Sequence, residues 1–389
     1  NVTNADQTVV YTVTPTSTVN LCVGATFTVS VTVRPKPVGV NASAAAICSD
    51  ASVNYNLQTL NINGPGGNSV PSNFSWIATA NASVTGESTS AQGTATINDN
   101  LTNVTNADQT VVYTVTPTSS ANSCVGANFT VSVLVRPKPV GANAAAPAIC
   151  SDANVNYNIQ TANINVVGNN VPSTFTWVAA ANGSVGGEST ASQAGGTIND
   201  VLVNATGSDQ TVIYTVTPTS TANSCVGTPF TVSILIHPKP VGTNATAPAI
   251  CSDASVNYNI QTSNINAAGG NSVPSTFSWV AAANGNVGGE STSAQIGGTI
   301  NDNLVNITTG DQTVVYTVTP TSTADACVGA TFTVSILVHP KPVGANASAP
   351  AICSDASVNY NLQTANINTL GNSVASTFSW IAATNAFVG

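Results

Sequence analysis

Every second residue is apolar along FTVSVTV at 27–33, and the alternation returns as FTVSVLV, FTVSILI and FTVSILV at 129–135, 230–236 and 332–338. Period-2 alternation of β-branched residues predicts half-buried strands. Each of these strands runs into two prolines with one residue between them. The four segments are Arg34-Pro35-Lys36-Pro37, Arg136-Pro137-Lys138-Pro139, His237-Pro238-Lys239-Pro240 and His339-Pro340-Lys341-Pro342. Proline's ring fixes φ and leaves no N–H to give a ladder, so neither strand nor helix continues through them. These segments read as linkers. Within one repeat, 52–60 (SVNYNLQTL), 74–80 (FSWIATA), 94–103 (TATINDNLTN) and 109–119 (QTVVYTVTPTS) are further predicted strands, the last ended by Pro117. Turn formers separate them, at 63–72 (NGPGGNSVPS) and at Gly86 to Ser88.

The cysteines set the period. Cys22, Cys124, Cys225 and Cys327 are spaced by 102, 101 and 102. Cys48, Cys150, Cys251 and Cys353 follow them at a constant offset of 26 (48 − 22). A unit of about 100 residues has the size of an immunoglobulin-like sandwich and exceeds the roughly 20–50 residues of solenoid and propeller repeats. The expected fold class is all-β, a tandem array of immunoglobulin-like sandwiches joined end to end by Pro-x-Pro linkers. The expected units are 38–137, 140–238 and 241–340. Residues 1–37 read as the C-terminal half of such a unit and 343–389 as the N-terminal half. Asn1 to Ser17 repeats Asn103 to Ser119 without a change, and Gly389 aligns with Gly288, so the chain reads as a window on a longer array.

Composition narrows the function. Only 5% of residues are charged, against about 25% in ordinary domains, and Asn, Thr, Ser and Gly supply the polarity. The net charge of −9 is spread over the repeats and gives no footprint for nucleic acid. No apolar run approaches the roughly 20 residues of a membrane helix. The only histidines, His237 and His339, stand where other linkers carry Arg34 and Arg136, so no repeated Ser/His/Asp or Cys/His arrangement exists. Phosphate-cradling glycine motifs and His-rich zinc spacings are also missing, and the chain reads as a non-enzyme.

Two recurring residue sets carry alternatives. Trp76, Trp177, Trp279 and Trp380 share one slot in an apolar strand, which favours core packing over a sugar-stacking platform. Four acids recur in each full repeat: Asp50, Asp152 and Asp253; Glu87, Glu188 and Glu290; Asp99, Asp200 and Asp302; Asp108, Asp209 and Asp311. Turn chemistry explains them best. The rival is a calcium site at a unit's end, which needs six to eight oxygens where the sequence offers scattered acids; no cofactor is otherwise expected. Lys36, Lys138, Lys239 and Lys341 all lie in linkers, which excludes Lys–Asn isopeptide bonds inside the units.

The pattern AICSD, VNYNLQT, FSWIA, VTPTS, CVG and FTVSVLVRPKP, repeated along the whole chain, resembles the PKD-like domains of very long Bacteroidota surface proteins. These include the giant adhesins of gliding motility exported by type IX secretion. The resemblance implies PKD-like β-sandwich units in an extracellular, cell-surface filament with a non-catalytic role. Contact with a surface or glycan would then fall to a tip outside these residues. A glycan-binding array and a fibre of arrays packed side by side, which low charge permits, are the rival expectations.

Two further expectations concern the joints. Placing both cysteines of a unit at its leading end gives within-unit bridges Cys48–Cys124, Cys150–Cys225 and Cys251–Cys327, with Cys22 and Cys353 single. The alternative bridges a linker, as in Cys22–Cys48. The fixed φ angles of the prolines, rather than exposed ion pairs such as one from a linker lysine to Asp50 of the next unit, are expected to keep the joints extended.

All six basic residues precede proline. Proline blocks the usual seating of the scissile amide in trypsin-like proteases. The chain should therefore survive trypsin even after denaturation and reduction, as read on a gel. A ladder with a spacing of about 100 residues would refute this.

Overall fold

The structure, a computed structural model, describes residues 1–267, 271–370 and 373–388. Gly389, used in the alignment above, lies outside them. Three hydrophobic cores recur along the chain, centred on Tyr113, Tyr214 and Tyr316. Each belongs to one repeat of a two-layered, all-β sandwich.

The second repeat shows the construction. Its main sheet runs in the order Ala144–Ala145, Phe230–His237, Gln210–Ser220, Ser173–Ala179 and Gln193–Ala194. The opposing layer is formed by Ala153–Asn154, Val201–Asn204 and Val185–Gly186, with Tyr157–Asn158 paired to Thr197–Ile198. Alternation places Val212, Tyr214 and Val216 inward against Val232, Ile234 and Ile236, all fully buried. The long strand carries its proline inside rather than at its end: Pro218 is paired opposite Phe175, and the strand continues to Ser220. The expectation that Pro117 closes the equivalent strand is corrected the same way, since Gln109–Ser119 runs past it.

The predicted strand 52–60 is also corrected. Only Ala51–Ser52 and Tyr55–Asn56 are extended, and Gln58–Ile62 forms one π-helical turn. In the second repeat the buried Ile159 and Ile164 stand five residues apart, the spacing of one such turn. The Asn158 side chain accepts the Thr161 N–H at 3.0 Å and starts that turn. The tryptophans pack as expected in the three cores. Trp76, Trp177 and Trp279 are buried, each meeting its repeat's tyrosine edge-to-face with ring centroids 5.5–5.6 Å apart. Trp380 is exposed.

One buried polar network completes each core. The Tyr214 hydroxyl donates to Asp200 Oδ2 at 2.8 Å, and Asp200 also accepts the Ser189 N–H at 2.7 Å and the Ser189 hydroxyl at 2.8 Å. Burial, followed by the hydrogen bond to Asp200 and the charge of Asp200, pushes the Tyr214 phenol far above its ordinary range, so it remains a donor. The turn before Ser189 needs glycine: Gly187 has φ +86°, and a Cβ there would lie 2.0 Å from the Val201 carbonyl oxygen.

Replacing Asp200 by Ala leaves a buried hydroxyl and a backbone N–H without their acceptor. Each such group costs about 1–3 kcal/mol, so this repeat should lose on the order of 3 kcal/mol. In denaturant titrations of the full chain followed by tryptophan fluorescence, one of the transitions should move to lower denaturant. An unshifted profile would count against the network.

Candidate functional site: the stapled junction

The residues singled out in the linkers and the cysteines meet at the ends of the repeats. What brings them there is the path of the segment after each linker. Residues 140–150 run the length of their own repeat, pairing in parallel with its last strand, Ala144 opposite Val232 and Cys150 opposite His237. The first and third repeats do the same, with Cys48 opposite Arg136 and Cys251 opposite His339. Cys48, Cys150 and Cys251 therefore sit at the trailing end of a repeat. Cys124, Cys225 and Cys327 sit in the hairpin turn at the leading end.

The within-unit bridges expected above are thereby overturned. From Phe230 to His237 the strand alone covers about 24 Å, whereas a disulfide needs Cα atoms within about 7 Å. The bridges instead join successive repeats: Cys48 to Cys225 and Cys150 to Cys327, each with a Cα separation of 5.6 Å and a sequence separation of 177. Among the described residues, Cys22, Cys124, Cys251 and Cys353 are unpaired. The linker-spanning pair Cys22–Cys48 does not form either.

The linkers are clamped, the two beside the bridges from both sides. Lys138 pairs with Asp50, Lys239 with Asp152, and Lys341 with Asp253 at 3.2 Å. The linker lysine thus reaches back to the repeat it leaves, where the sequence suggested an acid of the next one. Partial burial raises the Asp50 carboxyl, but hydrogen bonds from Lys138 and Thr102, with the lysine charge, outweigh it and hold the group below its ordinary value. From the other side an asparagine of the following repeat grips the linker backbone. Asn271 donates to the Lys239 carbonyl at 2.6 Å, and its own carbonyl accepts the Val241 N–H at 3.3 Å. Asn68 and Asn169 hold Lys36 and Lys138 in the same manner. The hairpin of the following repeat approaches closely enough to require glycine, since a Cβ on Gly227 would lie 2.1 Å from the Pro139 carbonyl oxygen.

The linker histidines are hydrogen-bonding residues. His237 Nδ1 lies 2.9 Å from Asp209 Oδ1 in its own repeat and 3.4 Å from Asp325 Oδ1 in the next. Among the described residues, His339 makes only the first contact, at 2.8 Å to Asp311. Asp209, His237 and Asp325 form the one group of three metal-type donors among the described residues. One imidazole and two carboxylates fall well short of a calcium shell, and His237 Nδ1 stands between carboxylates of two successive repeats. The other recurring acids are dispersed: Glu188 accepts the Asn182 N–H and Asp200 lies in the core.

Sequence reasoning missed the asparagine clamp and the direction of the segment before Cys48. Asn68, Asn169 and Asn271 do recur at one position, the head of an Asn-x-Val-Pro motif, within stretches read only as turns.

Repeated all-β sandwiches joined end to end define the class: a tandem array of immunoglobulin-like modules. The sequence profile of the PKD-like domain matches residues 1–37, 45–139, 147–240 and 248–342, and the chain belongs to that family. No curated protein sequence matches the chain. Similar solved structures include repeats 22–24 of mouse cadherin-23, at 11% identity over 78% of this chain and 96% of that one, with a TM-score of 0.25. Three fibronectin domains of chicken CNTN1 match at 10% identity over 78% and 99%, with a TM-score of 0.24. The human desmocollin-1 ectodomain matches at 9% over 89% and 70%, with a TM-score of 0.21. No described helix is long and apolar enough to cross a membrane.

Digestion after glutamate checks the bridges. The only glutamates are Glu87, Glu188 and Glu290, so full cleavage gives fragments 1–87, 88–188, 189–290 and 291–389. Without reduction, the observed bridges should yield two linked pairs, 1–87 with 189–290 and 88–188 with 291–389. Within-unit bridges would leave all four fragments in one species, which mass spectrometry would distinguish at once.

Proposed function

We propose that the chain is a repetitive stalk segment of an extracellular adhesin or surface filament, a mechanical spacer that holds a distal tip away from the cell. The observation that carries this reading is the repeated junction: a disulfide, an ion pair and an asparagine clamp recur between successive repeats. A module built to bind a ligand would gather its distinctive residues in a cleft. Here the cysteines, the basic residues and the clamping asparagines are concentrated where one repeat meets the next. The units are taken as 38–137, 140–238 and 241–340. Disulfides persist in oxidising, extracellular settings, which supports that location. The resemblance to giant Bacteroidota adhesins makes gliding motility and type IX secretion the context to test first.

Two measurements test it. Antibodies to the repeats should decorate extended filaments on intact cells; labelling confined to the cytoplasm would sink the reading. In solution, small-angle scattering of the full chain should give the same maximum dimension at about 0.02 M and about 1 M salt, because exposed ion pairs contribute only about 0–1 kcal/mol each. Replacing Pro137 and Pro139 by Gly should change that dimension little while Cys48–Cys225 is intact and shorten it after reduction. Salt-induced collapse of the oxidised chain would show that charge, not the staple and prolines, holds the joint.

A further inference from the structure

The bridges have a topological consequence for how the chain carries load. Cys225 and Cys251 lie close in sequence, at a separation of 26 (251 − 225). Between them the chain climbs the second repeat as strand Phe230–His237, crosses the linker, and climbs the third repeat as the segment ending in Ile250–Cys251. Because Cys225 is joined to Cys48, positions 48 and 251 are connected by one disulfide and the short stretch 225–251. Along the backbone their separation is 203 (251 − 48). A second path of the same kind runs from Cys124 through the stretch 124–150 to Cys150, and by disulfide to Cys327. The two paths are offset by one repeat. Where they overlap, in the second repeat, their strands lie side by side, Ala144 opposite Val232 and Cys150 opposite His237.

Lengths decide what these paths do. A stretch such as 225–251, fully extended, reaches about 90 Å. Two folded repeats at roughly 40 Å each, from strands of about 10 residues plus a linker, advance about 80 Å. The short path is therefore almost taut in the native fold. We infer that the Cys48–Cys225 bridge makes the span from residue 48 to residue 251 a nearly inextensible covalent strap, its tension borne by the bridge and the stretch 225–251, while residues 49–224 lie off the load path. In the second repeat that sheltered part is 151–224, which holds Trp177, Asp200 and Tyr214. Between residues 48 and 251 that core can be lost without lengthening the span. This deepens the stalk reading, and it concerns covalent load rather than cellular location.

The test pulls on the full chain through azide-bearing non-natural residues placed at Ser52 and Ser255, both exposed, coupled to DNA handles in optical tweezers. Through the strap the anchors are joined by the stretches 48–52, 225–251 and 251–255 and one disulfide, about 125 Å when taut. The oxidised chain should stop lengthening there and show no unfolding steps that add length. The same molecules after a phosphine reductant should reach about 710 Å, roughly sixfold further, through successive unfolding steps. Extension of the oxidised chain past about 200 Å, the reach expected of within-repeat bridges, would overturn the inference, as would a reach unchanged by reduction. Neither result bears on where the filament sits, which the antibody labelling reads separately.

Discussion

The parallel pairing of the post-linker segment with the last strand of its own repeat is the constraint on which the rest depends. It is made of two-residue ladders, such as Ala144–Ala145 and Ile149–Cys150 against Phe230–His237. Those few hydrogen bonds carry Cys48, Cys150 and Cys251 from the leading end of their repeat to its trailing end. They bring Asp50, Asp152 and Asp253 to the same end, within reach of the outgoing linker lysines. Were the segment to stay near the linker it leaves, both cysteines would face each other inside one repeat. The junction would then hold only two prolines and a screened charge.

The sheets were legible because their sequences alternate strictly. FTVSVLV and QTVVYTVTPTS declare their buried faces residue by residue, and the long central hairpin follows from them. The tryptophan slot was legible for the same reason. The post-linker segment was not, because VGANAAAPAIC has no alternation to read. Its ladders join positions 87 or 88 apart, such as Cys150 with His237 and Ala144 with Val232, and no local signal sets such a pairing. The error in the disulfides followed from that one segment. The π-helical turn escaped for a different reason. Val155, Tyr157 and Ile159 do alternate, and only the five-residue step to Ile164 betrays the change of period. Proline misled in a third way. Pro218 lies beyond Val216, where the ladder with Phe230–His237 ends, and on that side it acts only as an acceptor, its carbonyl taking the Gly227 N–H at 2.9 Å. Pairing with Ser173–Ala179 simply runs past it to Ser220.

Scarcity of charge gives the few charges that exist a position rather than a strength. With 5% charged residues, the surface is carried by Thr, Asn and Ser, and electrostatic repulsion between repeats is slight. The basic residues are all placed in linkers, and the described linker pairs are partly or largely exposed, where each contributes little. Their effect is directional. Lys138 and Lys239 fold back onto the repeat just left, while Asn169 and Asn271 grip from the repeat ahead, so the linker backbone is held between two bodies. His237 extends this by facing carboxylates from both repeats.

Committing the cysteines to junctions leaves each repeat to fold without an internal crosslink. An intra-repeat bridge would have closed a loop of 76 (124 − 48) and removed about 4 kcal/mol of chain entropy from that repeat's unfolded state. The array forgoes this, and its cores are correspondingly complete: strictly alternating strands, an edge-to-face Trp–Tyr pair, and a buried carboxylate whose oxygens are bonded to Tyr and Ser. Thermodynamic stability and mechanical continuity are thus assigned to different parts of the molecule. Side-chain packing and the Tyr–Asp network keep each repeat folded, while the bridges tie repeats to their neighbours covalently whether or not any single core is intact.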